Sequence, residues 1–267
     1  ARLPMRGTVW LNRVPFPPGI SKALKFLDDL MYGVIEARRN SDTPHDDLLS
    51  MLMEARDEDT GEGMTDKQLR DELLTLFIAG HETTVLSLSW TAYLLTQHPE
   101  AVAKIRQERK EVVGEGMPGF TDLPRLRFLT HVIYESMRLY PPVFVIGRRA
   151  LEEDSFGPYQ IPANFNIGIN IYGMHRHPKY WDEPNAFKPE RFADFQWKGD
   201  NRFLYLPFGG GPRICIGNNF ALMEMQLIVS AMVERFDFDL ASAPPAPQPQ
   251  LTLQPSPSVK LGLADRQ

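Results

Sequence analysis

The chain has 267 residues, 43% of them hydrophobic, enough for one large domain or two small ones around an ordinary apolar core. A formal net charge of −5 gives no overall basic footprint and speaks against nucleic acid as a partner. The lone cysteine cannot form an internal disulfide and fits a reducing compartment.

The sequence opens at Ala1 in a proline-rich connector over residues 3–19 and shows no signal-peptide pattern. A cytoplasmic protein is expected, and any upstream anchor would lie outside this sequence. Apolar residues at helical spacing (Leu24, Leu27, Leu30, Met31, Val34, Ile35) predict a helix over 21–39, with a shorter one over 46–54. Residues 56–63 read as a solvated acidic turn. Thr65 and Gln68 form a capping box, and the helix starting there runs to Gln97, about 30 residues and on the order of 45 Å. Its most apolar part, 73–90, is interrupted by His81, Glu82 and threonines, which makes it a buried helix rather than a membrane span.

In the middle of that helix, Ala79-Gly80-His81-Glu82-Thr83-Thr84 sets a glycine, costing roughly 1 kcal/mol, beside an acid and hydroxyls on an apolar face. Small residues at 79 and 80 let a cofactor or substrate approach the backbone. A threonine hydroxyl can also bond back to a carbonyl and open the helix to water. A charged helix over 99–113, opened by Pro99 and closed by Gly114, presents an exposed face and no chemistry. The next, over 129–139, stops at Pro141-Pro142. In it Glu135 and Arg138, three apart, share one face, the arrangement of an ordinary surface pair.

Short strands are predicted over 143–146, 159–161 and 165–171, with turns at Gly157-Pro158 and Pro162-Ala163. His175 and His177 lack a companion cluster of cysteine or carboxylate and are not expected to hold a metal. Pro189-Glu190-Arg191-Phe192 follows. The cysteine stands in Phe208-Gly209-Gly210-Gly211-Pro212-Arg213-Ile214-Cys215-Ile216-Gly217, whose glycines leave bare backbone for something flat to lie against. A helix predicted over 218–236 (Phe220, Leu222, Met223, Leu227, Ile228, Ala231, Met232) places Cys215 just before a helix N-terminus, where the dipole favours a thiolate. An anionic sulfur in an apolar loop suits iron, and Arg213 can neutralise an acidic group of the same cofactor; haem, with an iron and two propionates, meets both needs. Residues 244–257 are rich in proline and glutamine, and a last short strand is predicted over 259–263.

Phe208, Gly211, Arg213, Cys215 and Gly217 match every fixed position of the Phe-x-x-Gly-x-Arg-x-Cys-x-Gly signature, and the chain resembles the cytochromes P-450 over nearly its whole length. The resemblance implies a mainly α fold with small β-sheets. It makes residues 1–267 the C-terminal haem-binding portion of a single domain of soluble bacterial type, complete at its C-terminal end and lacking the N-terminal part. It implies haem b with Cys215 as iron ligand, Phe208, Gly209, Gly217 and Ala79 around it, and Arg213 and Arg148 on the propionates. Arg149 is the neighbour that competes with Arg148 for this role.

The same resemblance implies Glu82 and Thr83 as a proton relay to oxygen, and Glu135, Arg138 and Arg191 as a buried charged lock holding the Cys loop. Thr75, Ala79, Val143 and Val145 fall beside the substrate. The implied activity inserts one atom of dioxygen into an apolar small molecule, with electrons from a ferredoxin- or flavodoxin-type partner, since no flavin- or nicotinamide-type glycine motif is present. A peroxide-driven hydroxylase and a helical haem-binding fragment without turnover are the alternatives. Glu82-Thr83 speaks against the first, which needs neither acid nor alcohol.

Overall fold

The computed structural model describes residues 18–195 and 199–266, so most of the expected connector, residues 3–17, lies outside it. The chain packs as two compact units, Ala1–Ala79 and Gly80–Gln267. The described part of the first holds α1 (Pro18–Arg39), α2 (Leu48–Glu54) and the beginning of α3 (Asp66–Gln97). Ile35, Leu49 and Leu69, one from each helix, make its small apolar core. Asp47 caps α2 by accepting from Ser50 N at 3.0 Å. The Arg38 guanidinium beside Asp47 holds its carboxyl well below the usual range. The capping box of α3 forms as predicted, with Thr65 N donating to Gln68 Oε1 at 2.9 Å and Gln68 N to Thr65 Oγ1 at 3.3 Å. The acidic turn is closed by a bridge between Arg56 and Gly63.

The second unit contains the rest of α3, then α4 (Pro99–Val112), α5 (Arg127–Leu139), the short α6 (Ile171–Met174) and α7 (Asn218–Arg235). Ile105 of α4, Val132 and Ile133 of α5 and Val233 of α7 have no accessible surface, so the core lies where these three helices meet. Each such side chain contributes on the order of 2 kcal/mol by leaving water. α5 begins earlier than its apolar spacing predicts because Glu108 on α4 supplies its cap, accepting from Phe128 N at 2.6 Å and Leu129 N at 3.0 Å. A cap donated by another helix leaves no local signature.

Among the described residues eight strands, β1 (Val145–Arg149), β2 (Asp154–Phe156), β3 (Tyr159–Ile161), β4 (Asn166–Asn170), β5 (Phe236–Leu240), β6 (Ala246–Pro249), β7 (Leu253–Ser256) and β8 (Leu261–Asp265), form four two-stranded antiparallel sheets. They pair β1 with β4, β2 with β3, β5 with β8 and β6 with β7. The mainly α fold with small sheets is as expected. Details differ: Val143 still belongs to the bend after Pro141-Pro142, so the first strand starts at Val145. Phe236 opens β5 instead of ending a helix, and its pairing with Asp265 draws the last strand two residues further on than predicted. The Pro/Gln-rich tail, given no structure by its composition, folds into the β6–β7 hairpin.

Candidate functional site

The Cys loop is closed by its own backbone. Cys215 N donates to Phe208 O at 2.9 Å, Gly209 N to Leu206 O at 3.1 Å and Ile214 N to Gly211 O at 3.0 Å. Gly209 and Gly211 both sit at φ 73°, a region that a side chain makes costly, so these two glycines are needed for the path of the chain. Cys215 ends exposed at the mouth of the loop, just before α7, whose N-cap residue Gly217 offers no side-chain acceptor to the first turn. Ile214 and Ile216, on either side of the cysteine in the chain, and Phe220 in the first turn of α7 are 52%, 90% and 65% exposed, an unusual concentration of bare apolar surface. Arg213 is exposed beside them and Phe208 packs against the helical core.

Glu135 and Arg138 are not the surface pair that their spacing suggests, because both are fully buried. Arg138 uses all five of its N–H donors: Nε to Glu135 Oε2 at 2.6 Å, Nη2 to Glu135 Oε1 at 2.8 Å and Ala186 O at 3.1 Å, and Nη1 to His175 O at 2.8 Å and Pro184 O at 2.7 Å. Glu135 Oε1 also accepts from Arg191 Nε at 3.0 Å and Lys188 N at 2.8 Å. Arg191 lies in the 3-10 turn Pro189–Phe192, so the Pro-Glu-Arg-Phe motif delivers the third charge. The Arg138 guanidinium lies over the Trp181 ring, 5.1 Å from its centroid. Every donor of Arg138 and both oxygens of Glu135 are thus engaged, the condition under which a buried ion pair is tolerated.

On α3, Glu82 and Thr83 are half-buried. Glu82 Oε1 accepts from Thr252 Oγ1 at 2.7 Å and from Gln254 Nε2 at 3.3 Å, both on the β6–β7 hairpin. The same hairpin is fixed by Trp90 Nε1, donating to Leu253 O at 3.1 Å, and by Leu253 N, donating to Pro142 O at 2.9 Å. Trp90 stacks on Tyr140 with ring centroids 3.9 Å apart. The hairpin therefore joins the acid of α3 to the segment that leads to Val143 and Val145. Thr75 and Ala79 belong to the first unit, where Thr75 Oγ1 donates to Asp71 O at 2.7 Å.

β1 borders the Cys loop: a Cβ built on Gly209 would stand 3.5 Å from Ile146 Cδ1. Side chains alternate along a strand, so Arg148 shares the side of Ile146 while Arg149 takes the other, where its Nη2 donates to Asn164 Oδ1 at 2.7 Å. Of the two arginines, Arg148 is the one on the side of β1 that carries Ile146. Its Nη1 donates to Gly147 O at 2.8 Å and the side chain is exposed.

Sequence reasoning passed over Thr252, Gln254 and Trp90, and weighed His175 only as a metal ligand. A hydroxyl between two leucines, Leu251 and Leu253, is the one local hint that Thr252 turns inward. His175 and His177 also part company, the first buried and the second exposed with Nδ1 accepting from Lys179 N at 3.2 Å. No helix among the described residues is long and apolar enough to cross a membrane.

An exposed sulfur at the head of a helix, an apolar rim, bare glycine backbone and an arginine at the edge fit a flat apolar cofactor that carries iron and anionic groups. The fold and loop thus define a haem-thiolate scaffold. Residues 8–262 match the family described as Cytochrome P450, and the chain belongs to that family, whose cofactor is haem b. It is 36% identical over 249 residues to protein LUTEIN DEFICIENT 5, chloroplastic, of Arabidopsis thaliana, covering 89% of this chain and 42% of that one. Against cyclooctatin synthase of Streptomyces melanosporofaciens the identity is 35% over 237 residues, covering 88% and 52%. Against cytokinin hydroxylase of Arabidopsis thaliana it is 36% over 254 residues, covering 91% and 49%. The chain spans about half the length of these curated relatives.

Proposed function

We infer that this chain is the C-terminal, haem-binding portion of a cytochrome P450 monooxygenase, with Cys215 as the iron ligand. The observation that carries the reading is the closed Phe208–Cys215 loop, which offers one exposed thiol amid bare apolar surface at the start of α7. Haem b, when bound, supplies the redox chemistry by which one atom of dioxygen enters an apolar organic substrate. Cys215 would give the iron an anionic sulfur, favoured by the positive end of the α7 dipole. Arg213 and Arg148 would hold the propionates by charge-assisted hydrogen bonds. Phe208, Gly209 and Gly217 keep the proximal wall flat, and Val143 and Val145 line the apolar side where substrate lies.

Glu82 and Thr83 supply protons. Thr252 and Gln254 occupy Oε1 of Glu82, which leaves Oε2 to take up a proton and pass it towards the Thr83 hydroxyl. Glu135, Arg138 and Arg191 brace the loop from behind. Electrons come from a ferredoxin- or flavodoxin-type donor, and a cytoplasmic location fits the reducing conditions that a lone thiolate needs.

The test is the absorption spectrum of the reduced, carbon-monoxide-bound full-length protein. A strongly red-shifted band is expected, and Cys215→Ala should abolish it, because the sequence has no other cysteine to replace the ligand. An unchanged band in that variant would overturn the assignment.

A further inference from the structure

His175 follows α6 and is fully buried, its ring stacked on Tyr205 with centroids 5.0 Å apart. Two of its atoms point in different directions. Its backbone O accepts from Arg138 Nη1 at 2.8 Å, and its Nε2 accepts from Leu206 N at 2.8 Å. Leu206 is where the Cys loop begins, since Leu206 O takes Gly209 N at 3.1 Å and Phe208 O takes Cys215 N at 2.9 Å. One residue therefore connects the buried Arg138–Glu135 pair to the turn that sets the height of the thiol.

An imidazole that accepts at Nε2 is neutral and carries its proton on Nδ1. Here Nδ1 is buried without a hydrogen-bond partner, although the carbonyl end of α5 at Met137 and Arg138 lies close enough to favour the proton. Burial, with Arg138 and Arg176 nearby, holds the ring neutral, its pKa lowered to about 3. A phenylalanine would stack on Tyr205 equally well and leave no buried donor unpaired. What histidine offers at this position and phenylalanine cannot is an acceptor for Leu206 N.

We propose that His175 is a positioning residue of the Cys215 loop, its neutral Nε2 fixing the Leu206 amide and thereby the place of the sulfur relative to the cofactor. This rests on the reading of Cys215 as the ligand.

The experiment compares His175→Phe, which keeps the ring but removes the acceptor, with His175→Gln, whose Oε1 replaces Nε2, in the full-length protein with and without haem. Amide exchange of the segment 203–210 is read by mass spectrometry, and the reduced carbon-monoxide spectrum is recorded on warming. His175→Phe should exchange at Leu206 and Gly209 at least tenfold faster than the parent and lose the red-shifted band at a lower temperature. His175→Gln should restore most of both. Parent-like exchange and a parent-like band in His175→Phe would overturn the proposal, as would His175→Gln behaving like His175→Phe, which would make the effect one of packing. Should His175→Phe not fold, the exchange of His175→Gln alone decides: protection close to the parent at Leu206 supports the acceptor role and its loss refutes it. A parent without the red-shifted band would instead remove the ligand reading, while the exchange measurement on the haem-free protein would still test the His175–Leu206 bond.

Discussion

Arg138 has no donor to spare, and this decides what its loss does. Arg138→Ala strands the Glu135 carboxylate in the core with only Arg191 Nε and Lys188 N as donors, and removes the partners of His175 O, Pro184 O and Ala186 O. Breaking such a buried pair costs about 3–5 kcal/mol, a large part of the roughly 5–15 kcal/mol that holds a domain together. The expected result is a variant that fails to retain haem and melts at a much lower temperature; normal haem content would show that Glu135 finds other partners. Arg138→Lys should not rescue it, because three donors cannot replace five. The pair was legible in the sequence as Glu-x-x-Arg but its burial was not, since that depends on carbonyls some forty residues away.

His175 makes a second prediction at this scale. A histidine titrating near 6.5 when unfolded and near 3 when folded takes up its proton first in the unfolded state, so its stabilisation is complete above pH 6.5 and is lost as pH falls towards 3. Between pH 7 and pH 5 the parent should therefore lose about 2 kcal/mol more than His175→Gln, read as the difference in how their urea midpoints move. Parallel loss in both proteins would mean that the folded ring is protonated.

Among the elements, the β6–β7 hairpin shows where sequence reading stops. Three prolines, Pro247, Pro249 and Pro255, argue against strands, yet in the observed register all three fall in pairs of one parity, Pro247↔Pro255 and Pro249↔Leu253. Those positions direct no N–H into the ladder, and the pairs Gln248↔Gln254 and Ala246↔Ser256 carry its bonds. Leu253, in a pair of the first kind, turns its N–H outward to Pro142 O, and Trp90 reaches its carbonyl. Composition hides this, because only the register tells a tolerated proline from a disruptive one. The helices were legible because caps and apolar spacing are local, as in the Thr65–Gln68 box of α3.

Docking of that hairpin leads to a prediction for the acid on α3. Thr252→Val keeps the shape of a buried residue while removing the stronger of the two donors on Glu82 Oε1. With the carboxylate no longer fixed, product formed per electron consumed should fall by about tenfold in the full-length enzyme, with KM for substrate little changed. Equal coupling in variant and parent would show that the hairpin only packs against α3.

At the level of the whole molecule, the apolar surface that this chain leaves uncovered sets its behaviour when expressed alone. α3 exposes Phe77 and Ile78 in the first unit and Val85 in the second, and Ile214, Ile216 and Phe220 are exposed in the cysteine loop and at the start of α7. Isolated exposed side chains are ordinary, but several large apolar side chains bare in the cysteine loop and the first turn of α7 make a surface that a bound molecule or further protein would cover. The loop and its charged brace are formed wholly within residues 80–267, so a partly built proximal site should persist and haem should associate. A cofactor left open to water on one face would be held more weakly and would lose its protected oxygen chemistry. The 267 residues by themselves are therefore expected to take up haem weakly, to self-associate on gel filtration and to oxidise no substrate when supplied with reductant and an electron donor. A monomer that holds one haem per chain, gives the red-shifted carbon-monoxide band and turns substrate over would show instead that these residues suffice for the enzyme.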